Sequence, residues 1–249
     1  APIQAVERLL PGRTSERDLM GEMMDALSQH DIKFMLYYHA GYDCYHSIDQ
    51  AWYEVMGGYK MDKTEFFINY CAILSEMGER YGEKLAGWFI DGAHRFYDTH
   101  YDESPHVGPG QAPWKKMTLA AKAGYPQRII TYNSWIKPRL TDFQDFYSGE
   151  GYRPNHSVPV GGNGIFSSGP YEGLQAHTCF TMEKTWGHLA ANTDITPPKY
   201  TAEQLSDMIK DGMSRRNALS INLEMYEDGS VSPASLDVMQ QVRAIIRGA

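Results

Sequence analysis

Short apolar runs rich in β-branched and aromatic residues alternate along this chain with stretches whose apolar positions recur at helical spacing. That alternation predicts a parallel sheet connected by crossover helices. Leu19, Met20, Met23, Met24 and Leu27 define a first helical face, with Thr14 or Ser15 as the cap, and the helix leads into the strand-like run KFMLYY, Lys33 to Tyr38. A second helix is expected from Asp62, with Glu65 completing a capping box. It carries Phe66, Phe67, Tyr70, Ile73, Leu74 and Met77 inward and stops at Gly82. The run LAGWFID then reads as a buried strand ending at Asp91, because it is short, apolar and bounded by polar turns.

Further strand-like runs are QRIITYNS from Gln127, HTCFTM from His177 and ALSINLEM from Ala218. Thr201 and Gln204 are spaced to box a helix carrying Leu205, Met208 and Ile209. Ser232 followed by Pro233 opens a last helix with Leu236, Met239, Val242 and Ile246 inward. About five or six βα units result, short of the eight that close a barrel. The expected fold class is α/β, a (β/α)8-type TIM barrel that is incomplete or irregular, with residues 1–249 as a single domain. The Gly- and Pro-rich stretches 98–113 and 151–173 read as active-site loops.

Composition narrows the function. A formal net charge of -8, with no Lys/Arg-rich block, provides no footprint for a phosphate backbone, so nucleic acid is not expected as a partner. No apolar run has the length of a membrane span, roughly 18 residues or more. Cys44, Cys71 and Cys179 lie far apart without CxxC spacing, which indicates neither a zinc site nor a disulfide framework and favours free thiols. The 17 Tyr, 9 Phe and 5 Trp exceed what a core requires, and their flat faces suit sugar rings, although most of them also read as ordinary packing.

In parallel α/β folds ligands gather at the carboxyl ends of the strands. The polar residues that end apolar runs here are His39, Asp91, Asn133, Glu150, Glu183, Trp186, Asn222 and Glu224. Asp91 leads, since it follows Trp88, Phe89 and Ile90 directly and precedes a glycine; the plainer alternative is that it caps the next helix. Glycoside hydrolysis needs a second carboxylate, and Glu150 in DFYSGEGY sits where an exposed acid could meet a leaving group, though surface loops also carry glutamates for solubility.

Several segments, in this order, resemble the α-L-fucosidases of family 29 of the glycoside hydrolases. RDLMGEMMDAL from Arg17, followed by IKFMLYYHAGYD, is similar to that family's Arg-Asp-x-x-Gly-Glu helix and its next strand, which ends in paired tyrosines. YGEKLAGWFIDG looks like the strand carrying the nucleophile, which places that role on Asp91. DFYSGE resembles an Asp-aromatic-x-Thr-Pro-Glu segment and places the acid/base on Glu150, with Ser148 and Gly149 replacing Thr-Pro. The stretch from His177 through TWGH and the segment SINLEMYEDGSVSP resemble the family's later strands. Two departures stand out. Nothing corresponds to the family's first two strands and their His-His-Asp-Gly segment, so the chain looks like strands three to eight, with the start lost or supplied by another segment. Glu224 stands where the family has a small glycine and is a rival acid.

The resemblance implies an exo-acting, retaining α-L-fucosidase-like hydrolase working through a glycosyl-aspartate, with no cofactor and no metal. Its partner would be an oligosaccharide or glycoconjugate, an oligomer or completing segment could finish the fold, and the compartment would be secreted or periplasmic. Tyr38, His39, Trp88, Trp186, Asn222 and Glu224 are candidate substrate contacts, each also readable as packing. Retention would hold the two carboxyl groups roughly 5 to 5.5 Å apart. Two other classes stay open: a non-catalytic carbohydrate-binding or assembly protein that kept the fold, and a metal-dependent barrel hydrolase using His94, His100 and Asp102, for which no HxH or HExxH spacing occurs.

Overall fold

The alternating pattern folds as parallel α/β structure in a computed structural model, which describes residues 2–39, 49–60, 62–92, 112–133, 141–150 and 158–248. Residues 1–146 and 147–249 form two compact units. The first contains α1 (Gln4–Glu7), α2 (Leu19–Ser28), β1 (Phe34–His39), α3 (Gln50–Val55), α4 (Thr64–Tyr81), β2 (Leu85–Asp91), α5 (Trp114–Ala121) and β3 (Ile129–Tyr132). The second contains β4 (His177–Thr181), α6 (Ala202–Arg215), β5 (Ala218–Asn222) and α7 (Pro233–Arg247).

In the first unit β1, β2 and β3 make a parallel sheet in that order. Side chains alternate across it. Leu36, Tyr38, Trp88, Ile90, Ile130 and Tyr132 join the main core, where α4 contributes all six of its expected inward residues. Gly82 ends α4 as the pattern predicts, at a positive φ of 50°. The caps differ. Asp18 caps α2 by accepting from the Gly21 amide at 3.0 Å, because a cap must stand next to the first turn, whereas Thr14 lies too far back and bonds Glu7 instead. Asp62 accepts from the Thr64 amide, but Glu65 pairs with Lys60, so no capping box closes. Of the first helical face only Met24 is fully buried, and Leu19 and Met23 are about half exposed.

Arg128, at the entrance of β3, is completely buried. Its five N–H groups meet five main-chain carbonyls: Nε reaches Leu85 at 2.7 Å, Nη1 reaches Ala121 at 2.6 Å and Ala123 at 2.8 Å, and Nη2 reaches Gly78 at 2.9 Å and Gly82 at 2.6 Å. These acceptors lie at the C-terminal ends of α4 and α5 and the start of β2, where helix carbonyls carry negative partial charge; Gly78 O also accepts from the Gly82 amide. Burial lowers the Arg128 pKa, yet a guanidinium stays charged. Trp88 Nε1 shares the Ala121 carbonyl at 2.9 Å. Gly78 is required by this approach, since a Cβ there would stand 2.8 Å from both Ala123 O and Arg128 Nη1.

In the second unit β4 and β5 pair in parallel from His177↔Ala218 to Thr181↔Asn222. Residues 147–150 run beside β4: the Tyr147 amide donates to Gln175 O at 3.0 Å, the Cys179 amide donates to Gly149 O at 2.8 Å, and Glu150 pairs with Cys179 in parallel. Helix α6 carries the expected capping box of Thr201 and Gln204, and Leu205 joins Phe180, Met182, Ala202 and Val242 in the core. Pro233 opens α7 after Ser232, as predicted, but Leu236 is about half exposed.

The expected α/β class with parallel sheets is present: the described residues form parallel sheets of three and two strands, and no closed barrel forms among them. The two α-helical turns α1 and α3 and the helix α5 were not expected from the pattern; α5 begins within one residue of the predicted loop's end. Among the described residues Cys71 and Cys179 form no disulfide, and Cys44 lies outside those residues. No helix among those residues is long and apolar enough to cross a membrane.

Replacing Arg128 by Lys supplies three donors to five carbonyls. At about 1–3 kcal/mol for each acceptor left unpaired, Arg128→Lys should lose about 2–6 kcal/mol, read as a lower urea midpoint at unchanged slope.

Candidate active site

Asp91 stands at the end of β2, opposite His39 at the end of β1. Its carboxylate is held on both oxygens. Oδ1 accepts from Asn133 Nδ2 at 2.7 Å and from the Gly92 amide at 2.7 Å, and Oδ2 accepts from the Tyr37 hydroxyl. Asn133 is itself fixed just past β3, where its amide donates to Ile90 O at 2.7 Å. Three adjacent strands therefore converge on one carboxylate. Such bonds fix its orientation.

Strand parity decides which neighbours take part. Tyr37, Phe89 and Thr131 share a face with His39, Asp91 and Asn133, and the Tyr37 and Phe89 rings stack with centroids 6.0 Å apart. Tyr37 is 60% exposed, whereas Thr131 and Asn133 on the same face are buried. Tyr38 and Trp88 point the other way. Tyr38 packs against Tyr70 and Trp88, burial raises its pKa, and Trp88 is completely buried. Both were candidates for substrate contact, and the sheet places both on the face opposite Asp91. A pocket of about 330 Å³ lies beside β1, lined by residues from both faces of that strand, Leu36 and Tyr38 together with Tyr37 and His39, and by Trp52 and Trp88 among others; Asp91 is not in its wall.

The remaining candidates lie in the second unit. Glu150 follows Gly149, whose φ of 61° and approach to β4 exclude any side chain: a Cβ there would stand 1.8 Å from His177 O. Proline, with φ near −65°, could not occupy that position. His177 is buried; its Nδ1 lies 3.1 Å from Tyr147 O and 2.9 Å from Ser148 O, and its Nε2 lies 2.8 Å from Ser220 Oγ. Two carbonyls at Nδ1 require the proton there, leaving Nε2 to accept from the serine. Burial lowers the His177 pKa, only partly offset by the two carbonyls.

Glu183 and Glu224, at the ends of β4 and β5, are both buried. Glu183 accepts from Ser235 Oγ in the first turn of α7 and from the Glu224 amide at 3.0 Å, and Glu224 accepts from Thr185 through its amide at 3.1 Å and its hydroxyl at 2.5 Å. Asn222 Nδ2 donates to Trp186 O at 2.9 Å, and the Trp186 side chain is about half exposed. The structure thus ties Asn222 and Glu224 into the loop after β4.

Among the described residues no three His, Cys, Asp or Glu side chains gather where they could hold a metal. His94, His100 and Asp102 lie outside the described residues, as do residues 98–111 and 151–157 of the two long loops. Tyr37, Arg128, Gly149 and His177 are the structural partners that pattern reading missed. Only Tyr37 carried a signal, as the residue two before a strand-end histidine and therefore on its face.

The family model described as Alpha-L-fucosidase matches residues 7–246. The fold resembles that of the endo-fucoidan hydrolase MfFcnA4 from glycoside hydrolase family 107, with a TM-score of 0.71 and 16% identity over 99% of this chain and 45% of that one. The α-L-fucosidase isoenzyme 1 from Paenibacillus thiaminolyticus has a TM-score of 0.63 and 20% identity, over 93% of this chain and 52% of that one. The α-L-fucosidase AlfC from Lactobacillus casei has a TM-score of 0.58 and 16% identity, over 93% and 65%. At these identities the likeness is one of fold. The chain spans about half the length of the endo-fucoidan hydrolases MfFcnA4 and MfFcnA9. No curated protein sequence matches it.

A buried neutral histidine makes stability depend on pH. Because the native His177 pKa lies below the unfolded value of 6.5, the unfolded chain binds the extra proton first as pH falls. Its contribution is complete above about pH 6.5 and is lost as pH falls through the depressed native pKa, at no more than about 1.4 kcal/mol per pH unit. His177→Gln, which does not titrate, should show a shallower fall in Tm between pH 7 and pH 5 than the unaltered protein.

Proposed function

The chain belongs to the α-L-fucosidase family, and on that footing we propose that it carries the catalytic residues of a retaining glycoside hydrolase acting on α-L-fucosides, with Asp91 as nucleophile and Glu150 as acid/base. The observation that carries the reading is the carboxylate of Asp91, held by Tyr37, Asn133 and the Gly92 amide at the end of a parallel strand. The reading takes the chain as a single catalytic domain of (β/α)8-barrel type, supported by its alternating elements and parallel sheets.

In the first step an Asp91 oxygen bonds to the anomeric carbon as the bond to the leaving oxygen breaks, and the Glu150 carboxyl gives its proton to that oxygen. In the second step water attacks the same carbon, Glu150 takes the water's proton, and Asp91 leaves as carboxylate. Tyr37 and Asn133 serve both steps. They keep one orientation of the anion before attack and stabilise it again when it departs. Family membership and the ordered motifs support Glu150 for the acid/base role; Glu224 is the rival, and its Oε1 already accepts two bonds from Thr185.

A second mode of action, internal cleavage of fucoidan, is favoured by the higher TM-scores of the endo-fucoidan hydrolases. Products separate the modes: exo action on a fucan chain releases fucose, and endo action releases oligosaccharides.

Turnover of 4-nitrophenyl α-L-fucoside tests the nucleophile. Asp91→Gly should lose turnover by about 10⁴-fold or more, the scale on which deletion of a covalent nucleophile acts, with azide restoring part of it as a fucosyl azide. Equal activity of the unaltered protein and the variant would remove Asp91 from the role. Tyr37→Phe should lower kcat by about 10-fold to 100-fold with little change in Tm, because the ring is exposed and only its hydroxyl touches the carboxylate.

A further inference from the structure

We infer that His177 and Gly149 are positioning residues for Glu150: the imidazole clamps the two carbonyls that precede it, and the glycine lets the chain lie against β4 at the last step before it. This rests on the reading of Glu150 as acid/base.

In an ordinary parallel ladder main-chain amides would serve those carbonyls. Here main-chain bonds flank the segment at Tyr147 and Gly149, and between them Nδ1 of His177 takes Tyr147 O and Ser148 O. The imidazole is fixed in turn from β5 by the Ser220 hydroxyl. A continuous set of bonds therefore runs from β5 through His177 to the peptide two residues before Glu150. Tyr147 is buried against Phe166 and Tyr171, and Ser148 is completely buried, whereas Glu150 is only partly so. The segment leaves the core where the carboxyl begins.

Gly149 completes the arrangement. Its positive φ and the 1.8 Å separation between a hypothetical Cβ and His177 O mean that any side chain would push residues 149 and 150 away from β4. A histidine that merely filled the core would need no such match. The substituted Ser148-Gly149 pair thus supplies another route to a rigid lead-in, in which a side-chain clamp does what a proline ring does through its fixed φ.

General-acid assistance matters most when the leaving group is poor, so its position is read by comparing two substrates. The test measures kcat/KM on 4-nitrophenyl α-L-fucoside, whose phenolate leaves with little protonation, and on methyl α-L-fucoside, whose alkoxide needs a proton. Glu150→Gln should lose about 10²-fold to 10⁴-fold more on the methyl than on the aryl substrate. His177→Ala and Gly149→Ala should show the same bias, at about 10-fold or more. Amide hydrogen exchange provides the structural arm: in His177→Ala the Cys179 amide, which donates to Gly149, should exchange at least about 10-fold faster, while amides pairing β4 with β5 keep their protection. If His177→Ala does not fold, Ser220→Ala leaves the imidazole in place and should show the bias at several-fold.

Loss in equal proportion on both substrates, or an unchanged Cys179 amide, overturns the inference. A protein in which Glu150→Gln shows no bias fails in the assignment of Glu150 and takes this inference with it. One in which Glu150→Gln shows the bias and the His177 and Gly149 variants do not fails here alone.

Discussion

The first unit depends on a buried guanidinium. Arg128 gathers the carbonyl ends of α4 and α5 and the entrance of β2 onto one side chain, using every donor it has. A buried charge is costly to desolvate, and it persists here because five dipoles replace its water. The same bonds solve a second problem, since helix C-termini packed into a core would otherwise bury unpaired carbonyls. Arg128 stands at the entry to the strands and Asp91 at their exit, so the residue that locks the sheet is separated along the strands from the carboxylate that ends β2.

That separation leaves the carboxyl end of the sheet to a different set of side chains. The register of three parallel strands places Tyr37, Asp91 and Asn133 on one face, and each contributes a group to the same carboxylate cluster. None of these contacts arises within a single element. A small angular change in any strand would move a donor away from the oxygens, so the paired strands fix the orientation of the carboxylate.

The second unit solves a similar problem by different means. The segment leading to Glu150 pairs with β4 on both sides of a short interval in which a histidine ring substitutes for the ladder. Gly149 is the residue that allows this, since its φ of 61° and its approach to His177 O leave no room for a side chain. Glu183 takes a related structural part at the end of β4, where it ties the first turn of α7 to the start of the loop after β5.

Local order was legible in the amino-acid sequence. The inward face of α4, its stop at Gly82, the Thr201–Gln204 box, the Ser232–Pro233 start of α7 and the termination of a buried strand at Asp91 all follow from periodicity and capping within a few residues. Where local signals compete, the structure differs from the pattern: Asp18 caps α2 in place of Thr14 or Ser15, and Lys60 draws Glu65 out of its box. The partners of Asp91 were beyond reach, because Tyr37 and Asn133 lie 54 and 42 residues away and meet it only through register. One residue of slip would have turned Tyr38, rather than Tyr37, toward the carboxylate. Arg128 and His177 were hidden for the same reason: a lone charge or imidazole in sequence shows its role only when distant carbonyls close around it. Sequence alone determined which segments are strands and helices and where a carboxylate ends one of them; the tertiary structure decided which side chains that carboxylate meets, because pairing across the sheet, not proximity along the chain, sets those distances.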